Sequence, residues 1–142
     1  MENKKAYESF RKNLNDYLMQ KFNYKQVLIR HIIGNTLMIN KKRIRLYLKL
    51  PSYNALNTET LVIARIGFQK IKVGNGVSLL RFLISQSTLL GYTNIKIEQT
   101  NTNSSYFAKK LGFTQINEKN WIIPLDILHT NIQNKYGVEE RN

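Results

Sequence analysis

The stretch from Leu61 to Gly91 admits few folds. LVIARIGFQ (61–69) is an apolar run rich in branched side chains, of a length that suits a buried strand. IKVGNG follows. VSLLRFLISQSTLL (77–90) then reads as a helix, and Gly91 stands where a helix C-terminal cap is expected. A buried strand that passes through a glycine loop into a helix opens a strand–helix unit. It commits the chain to helices layered on a sheet.

The flanks agree. Tyr7, Phe10, Leu14, Tyr17 and Leu18 recur at spacings of three and four and predict an amphipathic helix over 4–21. Lys5, Arg11, Lys12 and Asp16 fall largely off that stripe. Residues 26–33 (QVLIRHII) read as a strand, Gly34-Asn35 as a turn, and 36–40 as a further strand. After a second turn at 40–42, residues 43–50 alternate. Ile44, Leu46, Leu48 and Leu50 face one way; Arg43, Arg45, Tyr47 and Lys49 face the other. Pro51 closes this strand, because it offers no backbone donor. A polar loop spans 51–60. Downstream, 94–100 reads as a strand and 103–111 as a short helix ending at Gly112. Strands are expected near 113–117 and 120–123, and a helix over 125–135 with Leu125, Leu128 and Ile132 on one face. Residues 137–142 read as a frayed tail. The order is helix, antiparallel meander, then strand–helix–strand–helix–strand. That is an α/β or α+β chain with a mixed sheet.

A length of 142 residues suits one domain with a real core. We divide it into an N-terminal helix and meander (1–60), a central unit (61–116) and a C-terminal strand, helix and tail (117–142). The chain has no cysteine, which excludes disulfides, a thiolate zinc site and a cysteine nucleophile. No apolar run approaches the roughly 18 residues of a membrane span. MENKKAYESF lacks the apolar region of a signal peptide, so a cytoplasmic location is expected and no membrane partner. His31 and His129 show no ligand-like spacing, and no metal site is expected. The net charge is +13: residues 1–60 carry twelve cations and four anions, residues 61–142 ten and five. Such a field attracts nucleic acid, phosphorylated cofactors or acidic proteins.

Gly74 and Gly76 sit at the mouth of the helix that follows the buried strand. Glycine permits a tight turn and a close ligand approach. The free N–H groups and positive dipole of a helix start suit a phosphate. A P-loop is excluded, since one residue rather than four separates the glycines. The dinucleotide fingerprint is excluded by Leu79, where a third glycine is required.

Ile71-Lys72-Val73-Gly74-Asn75-Gly76 resembles the Arg/Gln-x-x-Gly-x-Gly/Ala loop of GNAT-type N-acetyltransferases, with Ile71 in the leading place. IKIEQT, Asn101, SSYFAKK and Leu111-Gly112-Phe113 resemble the second half of that pattern. The resemblance covers about residues 61–116. It implies a GNAT-like, mostly antiparallel mixed sheet flanked by helices, and acetyl-coenzyme A as co-substrate. It implies that Lys72, Val73, Gly74, Asn75 and Gly76 hold the pyrophosphate, with Lys70 or Lys72 supplying charge. Backbone amides near Phe68 and Gln69 would polarise the acyl carbonyl. Asn101 falls on the family asparagine that contacts the pantetheine arm, and Ser104 on a small alanine. The family tyrosine that protonates the leaving thiolate is Ala108 here. Tyr106 points to the other side of the helix, and Ser105 lies nearer the face of Ala108. Glu98 and Glu59 are the candidate bases. Tyr92, Tyr106 and Trp121 are expected in the core or along a groove. Two functions follow. One is acetyl transfer to an amine of an anionic or nucleic-acid-associated acceptor. The other is an inactive GNAT-fold protein whose Arg43, Arg45 and Lys49 face and N-terminal lysines bind nucleic acid or an acidic partner.

Overall fold

A computed structural model describes residues 2–52, 59–71 and 73–137. Lys72 and most of the 51–60 loop and of the 137–142 tail lie outside these residues. The elements, in order, are α1 (Glu2–Phe22), β1 (Thr36–Asn40), β2 (Ile44–Lys49), β3 (Thr60–Phe68), α2 (Asn75–Ser85), α3 (Ser87–Leu90), β4 (Asn94–Ile97), α4 (Thr102–Lys110), β5 (Thr114–Asn117), β6 (Asn120–Pro124) and α5 (Leu125–Tyr136). The six strands form one sheet in the order β1-β2-β3-β4-β6-β5. Only β3 and β4 run parallel.

Strand register puts Leu37, Leu46, Leu48, Leu61, Ile63, Ile95, Ile97, Trp121 and Ile123 on one face. They share a continuous buried cluster with Phe10, Leu14 and Leu18 of α1, Leu79, Leu80 and Leu83 of α2, Ala108 of α4, and Leu128 and Ile132 of α5. The helices therefore cover that face. α1 lies against α2, where the Tyr17 and Phe82 rings stack at 4.5 Å. The Asn13 amide donates to Gln86 Oε1 at 2.8 Å, where the predicted single helix 77–90 divides into α2 and α3.

Residues 26–33 are not a strand. Asn15 Oδ1 accepts from the amides of Leu28 and Ile29, and Arg11 Nη1 donates to the Ile29 carbonyl. Side chains of α1 thus satisfy backbone groups that a neighbouring strand would otherwise meet. The strand expected over 94–100 also stops early, at Ile97.

Candidate functional site

The site begins where the two parallel strands part. β3 and β4 pair from Thr60–Asn94 to Ile63–Ile97, and the Glu98 amide donates to the Ile63 carbonyl at 2.9 Å. Beyond that, β3 continues to Phe68 with β2 as its strand partner. The β2–β3 register slips between Tyr47–Arg65 and Leu48–Ile63, leaving Ala64 as an extra residue. Such a bulge bends and twists the strand away from its neighbour. The result is a wedge at the carboxyl ends of two parallel strands, where open α/β sheets bind ligands.

The walls of the wedge follow from the ladder. The Gln69 amide donates to the Arg43 carbonyl at 3.2 Å, toward β2. Antiparallel alternation then turns the N–H groups of Phe68 and Ile66 the other way, toward the wedge. Of the two amides expected to polarise a carbonyl, Phe68 is therefore suitably directed. Gln69 is not, because its N–H is already committed to Arg43. The Phe68 ring is half-buried and stacks on Phe22 at 5.8 Å.

The loop to α2 carries the two glycines. Gly74 has φ +87°, a left-handed conformation that disfavours other residues, and it is the N-cap of α2. No side chain caps this helix, and the first described bond of the turn is Ser78 N–H to the Gly74 carbonyl at 3.0 Å. The amides of Asn75, Gly76 and Val77 are the donors an α-helix leaves without intrahelical partners. Asn75 Nδ2 donates to the Lys70 carbonyl at 3.2 Å and shapes the loop. Gly76 has a different reason. A Cβ there meets the Phe107 ring at 2.8 Å, so this glycine lets α4 close on α2. Ile71 and Val73 are exposed at 54% and 61%.

The junction to α4 is closed by its own side chains. Asn101 is the N-cap and accepts from the Ser104 amide, while the Ser104 hydroxyl accepts from the Asn101 amide. This capping box satisfies two donors reciprocally. Ser105 Oγ donates to Thr100 Oγ1 at 2.6 Å, and Thr100 Oγ1 donates to the Lys119 carbonyl. Ala108 is fully buried, and Tyr106 is 67% exposed. Neither supplies a hydroxyl to the wedge at the position of the family tyrosine.

Glu98 follows β4 and lies between two ammonium groups, Lys49 at 3.2 Å and Lys96 at 3.1 Å. Burial alone raises its pKa. Hydrogen bonds from Lys96 and Lys49, and their charges, outweigh that and hold the carboxyl below its ordinary value. Glu59 is not at the site. It precedes β3, and its carbonyl accepts from Thr93 and Asn94 at the paired end of the strand, nine residues before Phe68, roughly 30 Å at about 3.3 Å per residue.

Arg43 is also displaced from its expected role. Its guanidinium donates to the Phe22 and Asn23 carbonyls, closing the C-terminus of α1, and lies over the Tyr24 ring. Arg45 remains on the outer face. Its Nη2 lies 2.8 Å from where a Gly67 Cβ would stand, so the guanidinium crosses Gly67 beside the wedge. Alternation places Arg45 on that face, but only the register reveals glycine beneath it. Tyr92 is buried and donates its hydroxyl to the Leu83 carbonyl; burial pushes its pKa up. Trp121 is buried too, with Nε1 unpartnered among the described residues. His31, in the segment between α1 and β1, and His129, on α5, are both exposed, and no cluster of metal-ligating side chains occurs among the described residues. No described helix is long and apolar enough to cross a membrane.

No family model and no curated protein matches the chain. Solved structures do. A CoA-dependent acyl-homoserine lactone synthase, MesI, aligns at a TM-score of 0.51 and 13% identity over 97% of this chain and 91% of its own. The KacTA–DNA complex aligns at 0.48 and 18%, covering 87% of this chain and 86% of its own. AtaTR bound with AcCoA aligns at 0.47 and 18%, covering 67% and 68%. The fold is GNAT-like: a mixed, mostly antiparallel sheet with helices packed on it.

Proposed function

We propose that the chain is an acyltransferase that binds acetyl-coenzyme A at the wedge and passes the acyl group to an amine of an anionic acceptor in the cytoplasm. One observation carries the reading: the uncapped start of α2, reached through left-handed Gly74, opens beside strand amides that have lost their β4 partner. The residues present fit the group. Amides of Asn75, Gly76 and Val77, with Val73 and Lys72 in the same loop and Lys70 beside it, would hold the pyrophosphate. Asn101 would meet the pantetheine arm through its amide NH2, which its capping box does not use, and Ser104 keeps that box closed.

The bound coenzyme supplies an activated acyl thioester. The chain supplies the rest. The Phe68 N–H, directed away from β2, would donate a hydrogen bond where negative charge develops on the carbonyl oxygen. Glu98, paired with two lysines, would be only a weak base, so the proton lost by the amine as the C–N bond forms and the C–S bond breaks would pass through solvent to the departing coenzyme thiolate. The same features favour a second reading, a GNAT-fold binding protein without turnover. Ala108 is buried, Tyr106 is exposed, and the Ser105 hydroxyl is committed to Thr100, so none of these helix residues supplies the hydroxyl of the family tyrosine.

Titration calorimetry with acetyl-coenzyme A tests the first claim; saturable binding is expected, and its absence at millimolar ligand with the protein folded sinks it. Mass spectrometry of anionic acceptors that bear an amine, such as aminoacylated RNA and acidic peptides, then separates the readings. Acyl transfer above the uncatalysed rate supports the enzyme, and tight coenzyme binding without transfer supports the binder.

A further inference from the structure

We propose that the outer face of the sheet is a platform for single-stranded nucleic acid; only its link to acyl transfer rests on the reading above. Register defines the face. One row across it is Thr36, Lys49, Val62, Lys96 and Ile122. The next is Met38, Tyr47 and Arg65, and the third Asn40, Arg45 and Gly67. The described helices bury their apolar faces on the other side. These rows hold four cations, and Glu98 is the anion that the described salt bridges join to them, through Lys49 and Lys96, a balance of +3 among these residues. Lys49 and Lys96 are shared with Glu98, whereas Arg45 and Arg65 form none of the described salt bridges.

Charge alone suits any polyanion. The pattern is narrower. Tyr47 lies half-exposed between Arg45 and Lys49 along β2, opposite Met38, which is 59% exposed. Cations on a sheet face, interleaved with an aromatic ring, match what a single strand requires: phosphate contacts, and a surface on which bases stack. A duplex keeps its base edges in grooves that the broad face of a multistranded sheet does not enter. An acidic polypeptide such as polyglutamate has no base to stack on a ring between Arg45 and Lys49. The face also leads to the wedge. Arg45, across Gly67, stands on the outer side of the opening, and the start of α2 stands on the helix side. A nucleic-acid-borne amine thus reaches the wedge from one side and the acyl donor from the other.

The test is fluorescence anisotropy with labelled oligouridylate of about 15 nucleotides, a length that fills a typical single-strand site. A DNA duplex and polyglutamate serve as competitors, over a salt series without coenzyme. Single-strand binding that weakens with salt is expected, with each phosphate contact contributing about −0.7 to the log–log slope. Changing Arg45 and Arg65 together to Gln should weaken binding roughly ten-fold or more and make the slope shallower by about 1.4, while the paired Lys variant keeps the slope. Tyr47→Leu should cost about five-fold or more through lost stacking. Glu98→Gln frees Lys49 and Lys96 and should tighten binding. The proposal is overturned by salt-independent binding, by an unchanged Arg45/Arg65 double Gln variant that folds by circular dichroism, or by equal competition from duplex or polyglutamate. A thermal shift with coenzyme A on the same variants should be unchanged, so failure of this face and failure of the coenzyme site read out separately.

Discussion

Two strand-to-helix junctions lie side by side at the splayed end of the sheet, β3 into α2 and β4 into α4. They touch where Phe107 covers Gly76. The second junction satisfies itself, since Asn101 and Ser104 exchange hydrogen bonds across the first turn of α4. The first does not: α2 starts from a glycine with no side chain to offer, and its leading amides are uncapped. Helix starts favour Ser, Thr, Asp or Asn, because an orphan donor is costly to leave unmet. In one fold, from one chain, the closed junction is an architectural part. The open one is where, on the function proposed above, the coenzyme pyrophosphate would bind.

The largest expected effect tests whether α4 has room for chemistry. Ala108 is fully buried within the core cluster. Ala108→Tyr forces a ring into filled space, and overpacking of this size should cost about 3 kcal/mol or more. Thermal melting should fall by roughly 10 °C. An unchanged midpoint, with faster acyl transfer, would mean that α4 accommodates the family tyrosine after all.

Next is the open junction. Asn75→Asp places a carboxylate in the first turn of α2, where the dipole favours it, offsetting the lost bond to the Lys70 carbonyl. Stability should change by less than about 0.5 kcal/mol. Coenzyme affinity should fall about ten-fold, because the carboxylate takes the place of the phosphate at the same amides. Calorimetry that finds affinity unchanged removes the phosphate from this junction.

At the closed junction the effects are smaller and differently divided. Asn101→Ala removes a cap and should cost about 1 kcal/mol in chemical denaturation. Asn101→Asp keeps the cap but loses the amide NH2. It should retain stability while weakening coenzyme binding. If it retains both, Asn101 is a cap and nothing more.

Much of this contrast was legible in the chain, and the omissions have physical causes. The α1 stripe and the alternation of β2 located the core, because burial imposes its period on both. Gly74 was legible as a turn residue. The purpose of Gly76 was not, since the Phe107 ring that requires it lies 31 positions later. Residues 26–33 carry a strand-like composition, yet their backbone partners are Asn15 and Arg11, chosen by tertiary packing that no local window contains. Arg43 and Arg45 look equivalent in sequence. One closes α1 and the other crosses Gly67, because Arg43 lies beside the end of that helix and Arg45 does not. Ser104 read as a small-for-small replacement, although Asn101 and Ser104 already stood at capping-box spacing.

The smallest effect decides what Glu98 is doing at the base of the closed junction. Its carboxyl is held below the ordinary value of 4.5: burial opposes the shift, and Lys96 and Lys49 outweigh burial. A carboxyl depressed in the folded state adds stability above its unfolded pKa and loses it as pH falls through the folded one. The gap in unfolding free energy between the wild type and Glu98→Gln should therefore be present at neutral pH. It should close progressively below about pH 4.5. The partners are partly exposed, at 40% for Lys49 and 28% for Lys96, so the gap should not exceed about 1 kcal/mol. A gap that widens in acid places the carboxyl above its ordinary value, as a general base poised near neutrality requires. That result would reopen the closed junction as the catalytic one. A gap that closes leaves Glu98 as the anion that ties Lys49 of β2 to Lys96 of β4, bridging the outer face of the sheet beside the wedge.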